Sequence, residues 1–151
     1  MTEVQIEKYL KSLMDQLMEN TNQKRILLTA EWVKVAPSVA GVYMLIEKNK
    51  IIYVGESGNL RGRMRDILDT RHHVVRRTIG KKYFSCIRGF KEATSRTKFP
   101  PHIEKMVDTH LRERIKISFL EVPLGRKELE EYIQIYIDGD VKLNKRGKRK
   151  S

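Results

Sequence analysis

Cysteine is almost missing from this chain. Cys86 stands alone among 151 residues, so no internal disulfide can form and no cysteine cluster can hold a metal. Its place in the apolar run 83–87 leads us to expect a small buried hydrophobe. Long hydrophobic runs are missing too. No apolar stretch approaches the roughly 18 residues that cross a bilayer, and the acidic, amphipathic start is unlike a signal peptide. Both absences lead to the expectation of a cytoplasmic protein without membrane contact. There are no internal repeats and no second-domain boundary, so the chain should build one domain around one core. Acidic residues are scarce, with 19 Asp and Glu against 31 Lys and Arg, a net charge of +12. The imbalance is local. Residues 1–40 hold five basic and five acidic residues, whereas residues 41–151 hold 26 basic and 14 acidic. A polyanionic partner is the natural inference, because each phosphate neutralised releases counterions.

Hydrophobic spacing divides the chain. Residues 3–20 read as an amphipathic helix, with Val4, Ile6, Leu10, Leu13, Met14, Leu17 and Met18 forming most of one stripe. That stripe can pack within the monomer, cover a sheet edge, or pair with a second copy as a homodimer. After a connector containing Trp32 and Pro37, residues 41–47 and 51–54 read as two strands joined by the polar turn Lys48-Asn49-Lys50, a β-hairpin. Leu60, Met64, Ile67 and Leu68 recur at helical spacing behind Asn59, a reasonable N-cap. The basic stretch 71–77 begins another short helix, expected to end at Gly80. Residues 91–101 form a loop, a helix from His102 follows with Pro101 in its first turn, and residues 115–122 make a third strand. A last helix runs from about Lys127 to Ile137, ahead of a basic tail.

Within this pattern two phenols and a guanidinium form a reactive set. Tyr43 closes Gly41-Val42-Tyr43, Tyr53 opens Tyr53-Val54-Gly55 ten residues later, and Arg63 follows after ten more. Adjacent antiparallel strands can bring Tyr43 and Tyr53 to one face of the sheet. Arg63, on the first turns of the next helix, can reach back over that face and grip a phosphate as a fork. Gly55 either lets a substrate approach the backbone or permits a turn that other residues avoid. A tyrosine acts as base or proton relay only if neighbouring positive charge lowers its pKa from near 10. Taken singly, each of these residues is explained by strand packing or a solvated helix face.

Taken jointly, with Gly55-Glu56-Ser57-Gly58-Asn59-Leu60-Arg61-Gly62-Arg63, they resemble the core of the GIY-YIG nuclease family. The resemblance covers about residues 40–146. It implies an α+β fold, a small three-stranded antiparallel sheet flanked by helices, here with an extra N-terminal helix. The corresponding division is 1–39 for helix and connector, 40–146 for the nuclease domain and 147–151 for the tail. The resemblance further implies a metal-dependent DNA endonuclease in which Tyr53 is the proposed general base, Tyr43 assists and Arg63 binds the phosphate. One glutamate on a later helix would hold a divalent metal, with magnesium the expected ion. The pattern Leu-Glu, two variable residues, then an aliphatic selects Glu130, with Glu131 next and Glu128 third. Asn144 matches the asparagine that closes the family domain.

Two departures stand out. Four residues after the arginine the family places histidine or tyrosine, where this chain has Ile67; His72 or His73 could substitute, or be surface residues facing phosphate. Glu56 stands where lysine or glutamine is common. The remaining basic residues, Arg61, Arg65, Arg71, Arg76, Arg77 and the tail 145–150, are read as contacts to the DNA backbone. A stand-alone, restriction-like nuclease, dimeric through residues 3–20, is the expected form. The alternatives are a nucleic-acid-binding module that has kept the fold and lost catalysis, and a basic protein-interaction domain.

Overall fold

The computed structural model describes residues 1–137. It is an α+β structure whose single antiparallel sheet has four strands in the order β1-β4-β2-β3. Along the chain the elements are α1 (Glu3–Met18), β1 (Lys24–Arg25), α2 (Ala30–Val33), β2 (Gly41–Glu47), β3 (Lys50–Ser57), α3 (Leu60–Asp66), α4 (Val74–Phe84), α5 (Pro101–Arg114), β4 (Lys116–Glu121) and α6 (Arg126–Gln134). Three of the strands are those expected. The fourth, β1, pairs Lys24 with Ile117 of β4 inside the stretch read as connector; two residues are too few for alternation to mark them.

Strand β2 explains its own composition. It lies between β4 and β3, and Val42 to Ile46 are all buried, so both faces need apolar side chains and the sequence shows a run instead of alternation. Tyr43 and Leu45 face one core, with Leu60, Met64 and Ile67 near α3 and Val75, Ile79, Ile103, Val107 and Leu111 from α4 and α5. Val42, Met44 and Ile46 face the other, where Leu10 and Leu17 of α1 meet Leu129 and Ile133 of α6. The stripe on α1 is covered from Leu10 to Met18 by its own sheet and α6, while Val4 and Ile6 stay exposed, and the expectation of a dimer through residues 3–20 is not supported.

The hairpin closes with Lys48 and Asn49, both at positive φ (52° and 64°), as the mirror-image turn of a two-residue loop requires. A plain two-residue hairpin would pair Met44 with Tyr53 and place that tyrosine on the face opposite Tyr43. A bulge prevents this. The register runs Glu47↔Lys50 and Ile46↔Ile51, then shifts to Leu45↔Tyr53 and Tyr43↔Gly55, leaving Ile52 as the extra residue. The shift brings Tyr53 to the Tyr43 side.

Two further expectations are corrected. Helix α4 does not end at Gly80 but continues to Phe84. Gly80 is there because Phe99 packs directly onto it and leaves no room for a Cβ. Cys86 is exposed, not buried. The run 83–87 spans the end of a helix and the turn after it, so its side chains fan outward, and only Phe84 packs against the core.

Candidate active site

Tyr43, fully buried, is the centre of the site. Its ring lies 5.9 Å from that of Tyr53, diagonal to it across the hairpin and buried at the edge strand β3. Gly55, directly opposite Tyr43, allows this: a Cβ there would sit 2.7 Å from the Tyr43 ring. The close neighbour of Gly55 is the first phenol, a packing role that the sequence reading did not name. Asn59 caps α3 by accepting from the Gly62 amide (3.2 Å), which points the helix so that Arg63 comes back over the phenols. The positive charge of Arg63 acts on Tyr43 and, less strongly, on Tyr53. The Arg63 guanidinium reaches Asp66 Oδ2 at 3.0 Å and the His72 carbonyl at 3.4 Å. Burial works against its charge, but Tyr43 and Asp66 outweigh that and raise its pKa.

The fourth member is His73, completely buried, with Nε2 2.8 Å from the Tyr43 hydroxyl. Its ring lies 6.1 Å from that of Tyr43 and 5.7 Å from that of Tyr53. The reading of His73 as a surface residue is thereby corrected, while His72 is exposed. Burial first, and then Arg63, Arg77 and Arg76, push the His73 pKa down to about 3. The phenol of Tyr43 is driven well above its ordinary value by burial and by Tyr53, with Arg63 opposing. Ile67, where the family places a polar group, is a buried core residue. Sequence reasoning offered His72 or His73 as a substitute for that group without choosing between them, because the deciding contact bridges 30 positions. Asp66 was missed although its i, i+3 spacing from Arg63 was a usable signal.

The carboxylates are presented from the other side. Glu130 is buried on α6, while Glu128 and Glu131 are exposed. Arg126, one turn earlier on the same row as Glu130, pairs with Glu56 of β3 at 3.1 Å. That contact fixes the row along the β3 edge and engages Glu56 with α6. Among the described residues no three His, Cys, Asp or Glu gather into a cage. The donor set that remains, one buried carboxylate, fits magnesium, which keeps most of its waters and takes one or two carboxylates.

The predicted DNA-binding arginines divide. Arg76 is corrected: it is buried, and its guanidinium meets Glu104 Oε1 at 2.8 Å, Asp108 Oδ1 at 2.6 Å and Thr70 Oγ1 at 2.9 Å. It ties α4 to α5 and cannot face a phosphate. Arg61 donates to the carbonyls of Ala36 (2.8 Å) and Lys34 (3.3 Å), and Arg77 to those of Thr70 (2.9 Å) and Arg71 (3.0 Å); both do structural work while half-buried. Arg71 is exposed but forked onto Asp69. Arg65 is exposed. Asn144 and the tail lie outside the described residues.

No family model matches the chain, and none of the curated proteins does. Similar solved structures are those of the GIY-YIG N-terminal endonuclease domain of UvrC from Thermotoga maritima. One is a tyrosine-to-phenylalanine mutant bound to its catalytic divalent cation, 17% identical over 77% of this chain and 93% of that one, with a TM-score of 0.39. A second such mutant is 15% identical with the same coverage and a TM-score of 0.38. An asparagine-to-alanine mutant is 16% identical over 70% of this chain and 86% of that one, at 0.34. A likeness this distant says nothing of activity.

Proposed function

We propose that this chain is a divalent-metal-dependent DNA endonuclease of the GIY-YIG type, with Tyr43, Tyr53 and Arg63 acting on one scissile phosphate. The observation that carries the reading is the convergence of two phenols, one imidazole and one guanidinium on a single sheet face, made possible by a bulge and a glycine. Packing alone would not gather four hydrogen-bonding groups in an apolar layer, where each unsatisfied one is costly.

Hydrolysis needs a deprotonated water in line with the leaving oxygen and positive charge on the developing phosphorane. Tyr53, at the β3 edge, is the phenol placed to take the water's proton as the oxygen attacks phosphorus and the ester bond breaks. Tyr43, deeper, supports it. Arg63 offers guanidinium N–H groups to the phosphate oxygens, an arrangement that strengthens as charge builds there. Glu130 would hold the cation, with Glu131 and Glu128 as alternatives turned outward; such an ion would supply positive charge and polarised waters. The exposed cations Arg65, Lys81, Lys82, Lys91, Arg96 and Lys98 replace Arg61 and Arg76 as the natural tracks for flanking phosphates.

The test of the metal assignment is a set of glutamine variants. Glu130→Gln should lose both cleavage and calorimetric cation binding while still binding DNA, with Glu131→Gln and Glu128→Gln close to wild type. Equal cation affinity in Glu130→Gln and wild type would rule Glu130 out.

A further inference from the structure

The contacts of His73 fix its chemical state. It caps α4 from the N-cap position, and its Nδ1 accepts a hydrogen bond from the Val75 amide at 3.1 Å. A nitrogen that accepts from an amide carries no proton of its own. In a neutral imidazole the single proton must then be on Nε2. That nitrogen lies 2.8 Å from the Tyr43 hydroxyl, so His73 is the donor and Tyr43 oxygen the acceptor. A guanidinium has no acceptor, so Arg63, whose charge acts on Tyr43, cannot take the phenol's proton. The Tyr43 proton must therefore point away from His73, and the phenol beside it is Tyr53, with ring centroids 5.9 Å apart.

We propose that His73 is a positioning residue: a neutral imidazole, locked in the Nε2–H form by the first turn of α4, that turns the Tyr43 hydroxyl toward Tyr53 and so directs protons outward to the edge of the sheet. It donates its only proton and does not act as a base. The charged and titratable groups facing it are Tyr43 from β2, Tyr53 from β3, Arg63 from α3, and Arg76 and Arg77 from its own helix. All five are cations or phenols, so none of them stabilises an imidazolium. The hydrogen bond from His73 reduces, without overcoming, the cost that burial places on negative charge at Tyr43.

The consequence for catalysis rests on the nuclease reading above; the tautomer does not. Two measurements on the full chain separate them. In 15N-resolved NMR of the wild-type protein, His73 should show an unprotonated Nδ1 and a protonated Nε2 throughout about pH 5 to 8, where an ordinary histidine titrates. The variant His73→Asn keeps an N-cap acceptor but cannot reach Tyr43. It should stay folded and cleave plasmid DNA about ten-fold or more slower, with its pH–rate profile displaced upward by about one to two units, the effect of one lost hydrogen bond to a charged acceptor. An Nδ1–H tautomer, or titration of His73 near its ordinary value, overturns the proposal whatever the enzyme does. So does a folded His73→Asn variant with an unshifted profile. Wild-type protein that shows the expected tautomer but never cuts DNA would sink the nuclease reading alone.

Discussion

Tyr43 and His73 are both kept neutral by burial, and that neutrality has a measurable cost in acid. With a pKa of about 3 when folded, His73 refuses a proton that the unfolded chain accepts below about pH 6.5. The unfolded state then binds more protons, so stability falls as pH drops through that window, by up to about 1.4 kcal/mol per pH unit. Urea unfolding at pH 7 and pH 5 should show wild type losing more stability than His73→Asn; parallel losses would contradict the account. The phenols and the guanidinium were legible from their spacing because each lies near the end of its own element. Arg76 was misread for a physical reason. A basic stretch looks the same in sequence whether its charges meet phosphates or, as Arg76 does, two carboxylates one helix away. The separation is testable, since removing one partner of a buried ion pair strands the other. Arg76→Ala should cost about 3–5 kcal/mol in denaturant unfolding, whereas a phosphate contact would lower DNA affinity and leave stability unchanged.

At the scale of elements the hairpin matters most. Its strands and turn could be read from two short apolar segments and a polar turn, but the bulge at Ile52 could not, since a bulge is one extra residue that local composition does not mark. Without it the ten-residue spacing of the tyrosines would place them on opposite faces, because side chains alternate with period two. Deleting Ile52 should therefore turn Tyr53 toward α6 and abolish cleavage while far-ultraviolet circular dichroism keeps the α+β signature. Retained cleavage would mean that the phenols need not share a face. The helices were legible in position and less so in extent. Gly80 looked like a helix end, yet it is the contact point for Phe99, a long-range demand that overrides propensity.

At the scale of the whole molecule, the chain is a sheet with two different faces. On one, α3, α4 and α5 build the reactive layer; on the other, α1 and α6 build an apolar layer that carries Glu130. The resemblance anticipated the sheet and its flanking helices, while the covering of α1 by its own sheet depended on packing that no single segment displays. Exposed Arg65 on α3 and Lys81 and Lys82 on α4 add positive charge to the helices of the first face. The nuclease reading rests on that first layer. Its most direct test is supercoiled plasmid incubated with magnesium and either wild-type protein or Arg63→Ala. The account predicts nicked or linear product from wild type and a rate about 100-fold or more lower in the variant, the effect of removing a donor aimed at transition-state charge. Equal cleavage by both proteins, or tight binding by wild type with the plasmid left intact, would contradict it.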